Sequence, residues 1–132
     1  LTMKKLLLVL VTSVFALTAC AAAGGSVTTL NAPDFSKKIS DKSVLLLDVR
    51  TPAEFAVGHI VGATNIDFES GNFANDISRF DKSKSYALYC RSGNRSGQAT
   101  SLMAKDGFKS LFNLNGGIIE WQGAGNNVVN NG

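Results

Sequence analysis

The sequence predicts an α/β domain built on a doubly wound parallel sheet with helices on both faces. Three observations carry this. Short apolar runs, Val44–Leu47 and Tyr86–Tyr89, alternate with segments of helical spacing. The runs are continuous rather than alternating, as in strands buried on both faces. Polar residues suited to chemistry follow the runs, where ligands gather in sheets of this kind.

The elements follow in order. Val27–Leu30 is a first short strand, and Asn31 caps a helix opened by Ala32-Pro33-Asp34. Val44–Leu47 is a buried strand. Thr51 caps a helix from Pro52 to about Val57, broken by Gly58-His59-Ile60. Thr64-Asn65-Ile66 is a strand, and Phe73, Ile77 and Phe80 recur at helical intervals. Tyr86–Tyr89 is a second buried strand ending at Cys90. Arg91–Asn94 form a polar turn, and Arg95–Asp106 a helix with Ala99, Leu102 and Met103 inward and Gly107 as its stop. Ser110–Leu114 is the last strand. Gly116-Gly117 precede a short helix through Trp121, a core residue, and Val128-Val129 is extended. Asp48, Asn65, Cys90 and Asn113–Asn115 should all lie near strand ends. No internal repeat or second domain is visible.

Ahead of the domain stands a different kind of segment. Lys4-Lys5 precede an apolar run from Leu6 to Leu17 that is shorter than the roughly 20 residues a bilayer span needs. A basic start, apolar middle and small residues at the end read as a secretory signal over residues 1–19, with Leu1-Thr2 upstream of the start. Leu17-Thr18-Ala19-Cys20 resembles the lipobox of bacterial lipoproteins. That resemblance implies lipidation at Cys20, a membrane partner through the lipid, and a place in the cell envelope on the extracytoplasmic side. Residues 20–26 then read as a flexible tether and residues 27–129 as the domain.

Removing Lys4 and Lys5 lowers the formal charge from +3 to +1, which argues against a nucleic-acid partner. With Cys20 lipidated, Cys90 is the one free thiol, so neither a disulfide nor a Cys-x-x-Cys pair can form. Two Cys and the single His59 make a zinc site improbable, and no metal or cofactor is expected. A monomer is expected.

Tyr89-Cys90-Arg91-Ser92-Gly93-Asn94-Arg95-Ser96 is the most informative stretch. It sets a Cys between a strand and a helix. A tight turn there, with Gly93 supplying the backbone freedom, points successive N–H groups inward as an anion nest. The helix adds its positive end. Both favour thiolate, so the pKa of Cys90 should fall below that of a free thiol. Arg91 and Arg95 can offer planar donors to an oxyanion. Asp48 could accept N–H groups of the Cys loop, and reads as structural support. Arg50 and Glu54, four apart, read as a structural pair. His59 reads as a fold-stabilising hydrogen bond near a turn.

Cys90-Arg91-Ser92-Gly93-Asn94-Arg95-Ser96 resembles the active-site loop of the rhodanese family. Three further stretches fit that family in order: Asp48-Val49-Arg50 with Glu54-Phe55; Gly58-His59-Ile60-Val61-Gly62-Ala63-Thr64-Asn65-Ile66; and Leu114 with Gly116-Gly117 and Trp121. Val61 stands where the family usually has Pro, and the chain is short between Ile66 and Tyr86. The resemblance implies a rhodanese-like fold and a sulfurtransferase acting on a small sulfur-containing substrate. Cys90 would be the nucleophile, Arg91, Ser92, Gly93, Asn94, Arg95 and Ser96 the cradle, and Asp48 and Arg50 the support. The alternatives are a phosphatase or arsenate reductase of the related fold, whose loop is one residue longer, and a non-catalytic binding module, which typically lacks the Cys.

Overall fold

The computed structural model describes residues 24–130; the signal segment, Cys20 and most of the tether lie outside the described residues. In chain order the elements are β1 (Ser26–Leu30), α1 (Ala32–Ile39), β2 (Val44–Asp48), α2 (Pro52–Val57), β3 (Thr64–Asn65), α3 (Phe73–Ile77), β4 (Ser85–Tyr89), α4 (Asn94–Lys105), β5 (Ser110–Leu114) and α5 (Gly117–Gly123).

The five strands form one sheet in the order β1-β5-β4-β2-β3, every pair parallel. This is the expected doubly wound fold. One face packs Leu47, Leu88 and Leu111 against Phe73 and Ile77 of α3 and Ala99 and Met103 of α4. The other packs Leu46, Ala87 and Leu114 against Phe35 of α1 and Ile118 and Trp121 of α5. Tyr86–Tyr89 is at most 1% exposed because β4 has strands on both edges and helices on both faces.

Two expectations fail locally, each for its own reason. Leu45 is 40% exposed because β3 pairs only with Leu47 and Asp48, leaving the first part of β2 uncovered on that side. Leu102 is 39% exposed because the buried stripe of α4 runs through Ser96, Ala99, Thr100 and Met103, one helical step round. β1 begins at Ser26, a residue inside the expected tether, and Gly25 is already tied by its N–H to Ala104 O at 3.2 Å.

The helix starts follow local chemistry. The Asn31 side chain accepts from Asp34 N–H. Thr51 and Glu54 form a reciprocal capping box with Pro52 at the first position. The chain's last described turn returns to the domain: Val129 and His59 exchange backbone hydrogen bonds of 2.7 and 2.8 Å, and Trp121 Nε1 donates to Asn127 O.

Candidate active site

β2 leads outward to β3, whereas β4 leads the opposite way to β5. The loops leaving β2 and β4 therefore part, and a crevice opens between two adjacent strand ends. Asp48 sits in register with Tyr89 across it, so Arg50 and Cys90 flank the same gap.

Cys90 follows the buried end of β4 and is itself 1% exposed. The loop then turns through Gly93, whose φ of +98° is open to glycine and strained for other residues, and α4 starts at Asn94. A side chain on Gly93 would also press on Gly116 N and Leu114 O, at 3.2 and 3.3 Å. The turn at Gly116-Gly117 braces the loop from the other side: Ile118 N–H donates to Cys90 O at 2.9 Å and Ile119 N–H to Arg91 O at 3.3 Å.

This turn aims donors at the sulfur. Gly93 N–H reaches Sγ at 3.0 Å and the buried Ser96 hydroxyl at 3.4 Å. Burial alone pushes the thiol pKa up. The Ser96 hydroxyl and the N–H groups of Ser96, Gly93 and Ser92 outweigh it, so the pKa of Cys90 falls below its ordinary value. Hydrogen bonds from the loop and Ser96, rather than the guanidinium groups, produce this shift.

The two arginines of the loop differ in situation. Arg95 is half-buried and bound bidentately by Glu54, with N–O distances of 2.8 and 2.9 Å, and by Glu69 at 3.5 Å. Arg91 is exposed and makes no ion pair among the described residues. Ser92 and Asn94 are exposed, and Asn94 Oδ1 accepts from Gln98.

The expected Arg50–Glu54 pair does not form. Arg50 turns back instead to Asp48, making Nε and Nη2 contacts of 2.6 to 3.1 Å, and donates to Gly58 O at 2.7 Å. Asp48 likewise accepts from Arg50 N–H rather than from the Cys loop. Both residues are buried, and this is why they pair: neither charge can remain there unmatched. Asn65 donates to the carbonyls of Asp48 and Arg50, and Tyr89, next to the nucleophile, accepts Ile60 N–H on its hydroxyl. His59 stacks on Phe55 with Nδ1 2.9 Å from Phe55 O, a structural contact.

Sequence reasoning missed Glu69, Tyr89 and the Glu54 clamp. The clamp had a visible signal, since Thr51-x-x-Glu54 is a capping-box pattern that fixes where the Glu54 carboxylate sits. Glu69 and Tyr89 had none, because their partners lie 26 and 29 residues away.

A strand–loop–helix thiol at the switch point of a parallel sheet defines a class of proteins that stabilise an anionic sulfur. The comparisons with known proteins narrow the class. The family described as Rhodanese-like domain matches residues 31–124. A protein of Allochromatium vinosum named sulfurtransferase is 36% identical over 104 residues, covering 78% of this chain and 95% of that protein. The tRNA uridine(34) hydroxylase of Yersinia enterocolitica is 33% identical over 96 residues, covering 70% of this chain but only 27% of that protein. Among solved structures, a rhodanese-related protein from Thermoplasma volcanium superposes with a TM-score of 0.69 at 31% identity, over 79% of this chain and 99% of that one. A rhodanese-like domain protein from Staphylococcus aureus does so at 0.64 and 26%, over 71% and 90%. The chain belongs to the rhodanese-like family.

Proposed function

We propose that the protein is a sulfurtransferase working through a persulfide on Cys90. The carrying observation is the sulfur's setting at the start of α4, under Gly93 N–H and the Ser96 hydroxyl. In the first step the Cys90 thiolate attacks the outer sulfur of a donor such as thiosulfate. A new S–S bond forms, the donor's S–S bond breaks, and sulfite leaves with the electron pair. In the second step an acceptor nucleophile, a thiolate or cyanide, takes the outer sulfur and Cys90 leaves as thiolate. The loop donors hold the negative charge at each stage. Arg91, exposed and unpaired among the described residues, is the cation placed to meet an anionic donor, while Arg95 fixes the loop through Glu54.

The same reading assigns Cys20 a lipid and places the domain on the extracytoplasmic side of a membrane. It is supported by the basic, apolar and Leu17–Cys20 sequence alone. Replacing Cys20 with Ser should abolish metabolic lipid labelling; unchanged labelling and membrane recovery would overturn the assignment.

The test of the activity is intact mass after thiosulfate treatment, together with thiosulfate:cyanide transfer and p-nitrophenyl phosphate hydrolysis on one preparation. The protein should gain one sulfur atom and transfer it, and Cys90→Ser should do neither. Only four residues separate Cys90 from Arg95, one fewer than in the phosphatase loop, so phosphate hydrolysis should be absent. Efficient hydrolysis without sulfur transfer from any sulfane donor would replace this reading with the phosphatase one.

A further inference from the structure

All five strands run the same way, so the sheet has two chemically distinct ends. Cys90 lies at the end where strands finish. The end where they begin gathers the lysines. Lys42, Lys84 and Lys109 stand one or two residues before β2, β4 and β5. Lys105 is the last residue of α4, Lys37 lies in the last turn of α1, and Lys82 is in the turn before β4. All six are exposed. Three aspartates share this end, Asp41, Asp81 and Asp106; the first two are bound by Ser43 and Ser83, and the third pairs with Lys82. At the opposite end Glu54 and Glu69 neutralise Arg95 and the Glu120 side chain lies beside Gly116, so Arg91 is the one loop cation without an ion pair among the described residues.

The chain enters the domain at the lysine end. Ser26 N–H bonds to Lys109 O and Gly25 N–H to Ala104 O, so Gly24 lies beside Lys105 and Lys109. From Gly24 back to Cys20 the chain can reach on the order of 15 Å at full extension. Where β3 stops short, the β2 edge beside Lys42 borders an apolar recess of about 450 Å³, and Leu45 and Val61 are exposed on it. A basic surface with an apolar lip, at the point where a lipid tether leaves, is suited to an anionic bilayer.

We infer that the lysine end of the sheet is a docking surface for an anionic lipid membrane, which orients the domain with Cys90 facing away from the bilayer. The inference rests on the lipid at Cys20 for its membrane setting. The docking itself needs only the domain. A five-residue strand spans about 17 Å, so the reactive sulfur stands at least that far above the headgroups, beyond a Debye length of about 8 Å in physiological salt. Anionic sulfur donors would then approach from solvent, clear of the membrane's negative potential.

The experiment uses the domain from residue 24 onward, a span that accounts for nearly the whole of the Allochromatium vinosum and Thermoplasma volcanium relatives. It is sedimented with vesicles of phosphatidylcholine alone or with about one quarter phosphatidylglycerol. Binding should be about tenfold greater on the anionic vesicles at low salt and should weaken as salt rises. Joint replacement of Lys42, Lys84, Lys105 and Lys109 by Glu should remove the preference. Arg91→Glu, a reversal at the opposite end of the sheet, should keep it. If the fourfold variant fails to fold, Lys42→Gln with Lys109→Gln should still halve the binding. Equal binding to both vesicles, or a preference that survives the lysine changes in a folded variant, overturns the inference. Lipid labelling of the full chain is read separately: lost labelling with vesicle preference intact removes the anchor alone, and the reverse removes the docking surface alone.

Discussion

Glu54 grips Arg95 with both carboxylate oxygens, at 2.8 and 2.9 Å, and so ties the start of α2 to the first turn of α4, 41 residues further on. The contact joins the loop after β2 to the loop that carries Cys90. It turns an arginine of the Cys loop into a brace.

The Arg95 hydrogen bonds, aided by Thr51 and opposed by burial, hold the Glu54 carboxyl down to about 2 from an ordinary 4.5. A carboxyl whose folded pKa is depressed stabilises the fold above its unfolded value, and loses that contribution as pH falls from about 4.5 toward 2. Glu54→Gln should therefore cost about 1–2 kcal/mol near neutral pH, allowing for a partly exposed pair, and little at pH 2. Urea denaturation of both proteins at the two pH values checks this; an equal difference at both would separate the pair from the effect.

Ser96→Ala removes the hydroxyl 3.4 Å from the sulfur and should raise the pKa of Cys90. In the unmodified protein, iodoacetamide alkylation should have its midpoint below the free-thiol value of about 8.5. The variant's midpoint should move upward, and its reaction below neutrality should slow. A midpoint at or above the free value in the unmodified protein would mean that the loop donors do not act on the thiolate.

Gly117 has φ +62°, and a Cβ there would lie 2.4 Å from Arg91 O and 2.5 Å from Cys90 O. Gly117→Ala should push the α5 start off the Cys loop, costing about 2–4 kcal/mol through strain and clash. Thermal melting and persulfide formation should fall together. A variant melting normally with full sulfur transfer would show that the brace is dispensable.

Arg50 and Asp48 are buried as a pair. Arg50→Met alone should cost about 3–5 kcal/mol, because it strands the Asp48 carboxylate and frees Gly58 O. Asp48→Leu with Arg50→Met should cost less than either change alone. Melting temperatures of the three variants form the cycle, and simple additivity would refute the coupling.

The sequence by itself determined the parallel α/β architecture, because continuous apolar runs separated by helical spacing can be buried in few ways. It also determined that Cys90 meets a helix N-terminus, because strand, Gly93 and helix are contiguous, and it placed the helix caps at Asn31 and Thr51, whose partners lie three residues away. Tertiary structure alone decided how the charges pair. Arg50 is four residues from Glu54 yet reaches Asp48, since both are drawn under the same loop and need each other once water is gone. Glu54 is thereby free for Arg95, and Arg91 is left as the exposed cation of the Cys loop. Local spacing settles which residues share an element. Pairing of buried charges depends on which loops the sheet order brings side by side, and that distance is not written in the spacing of the chain.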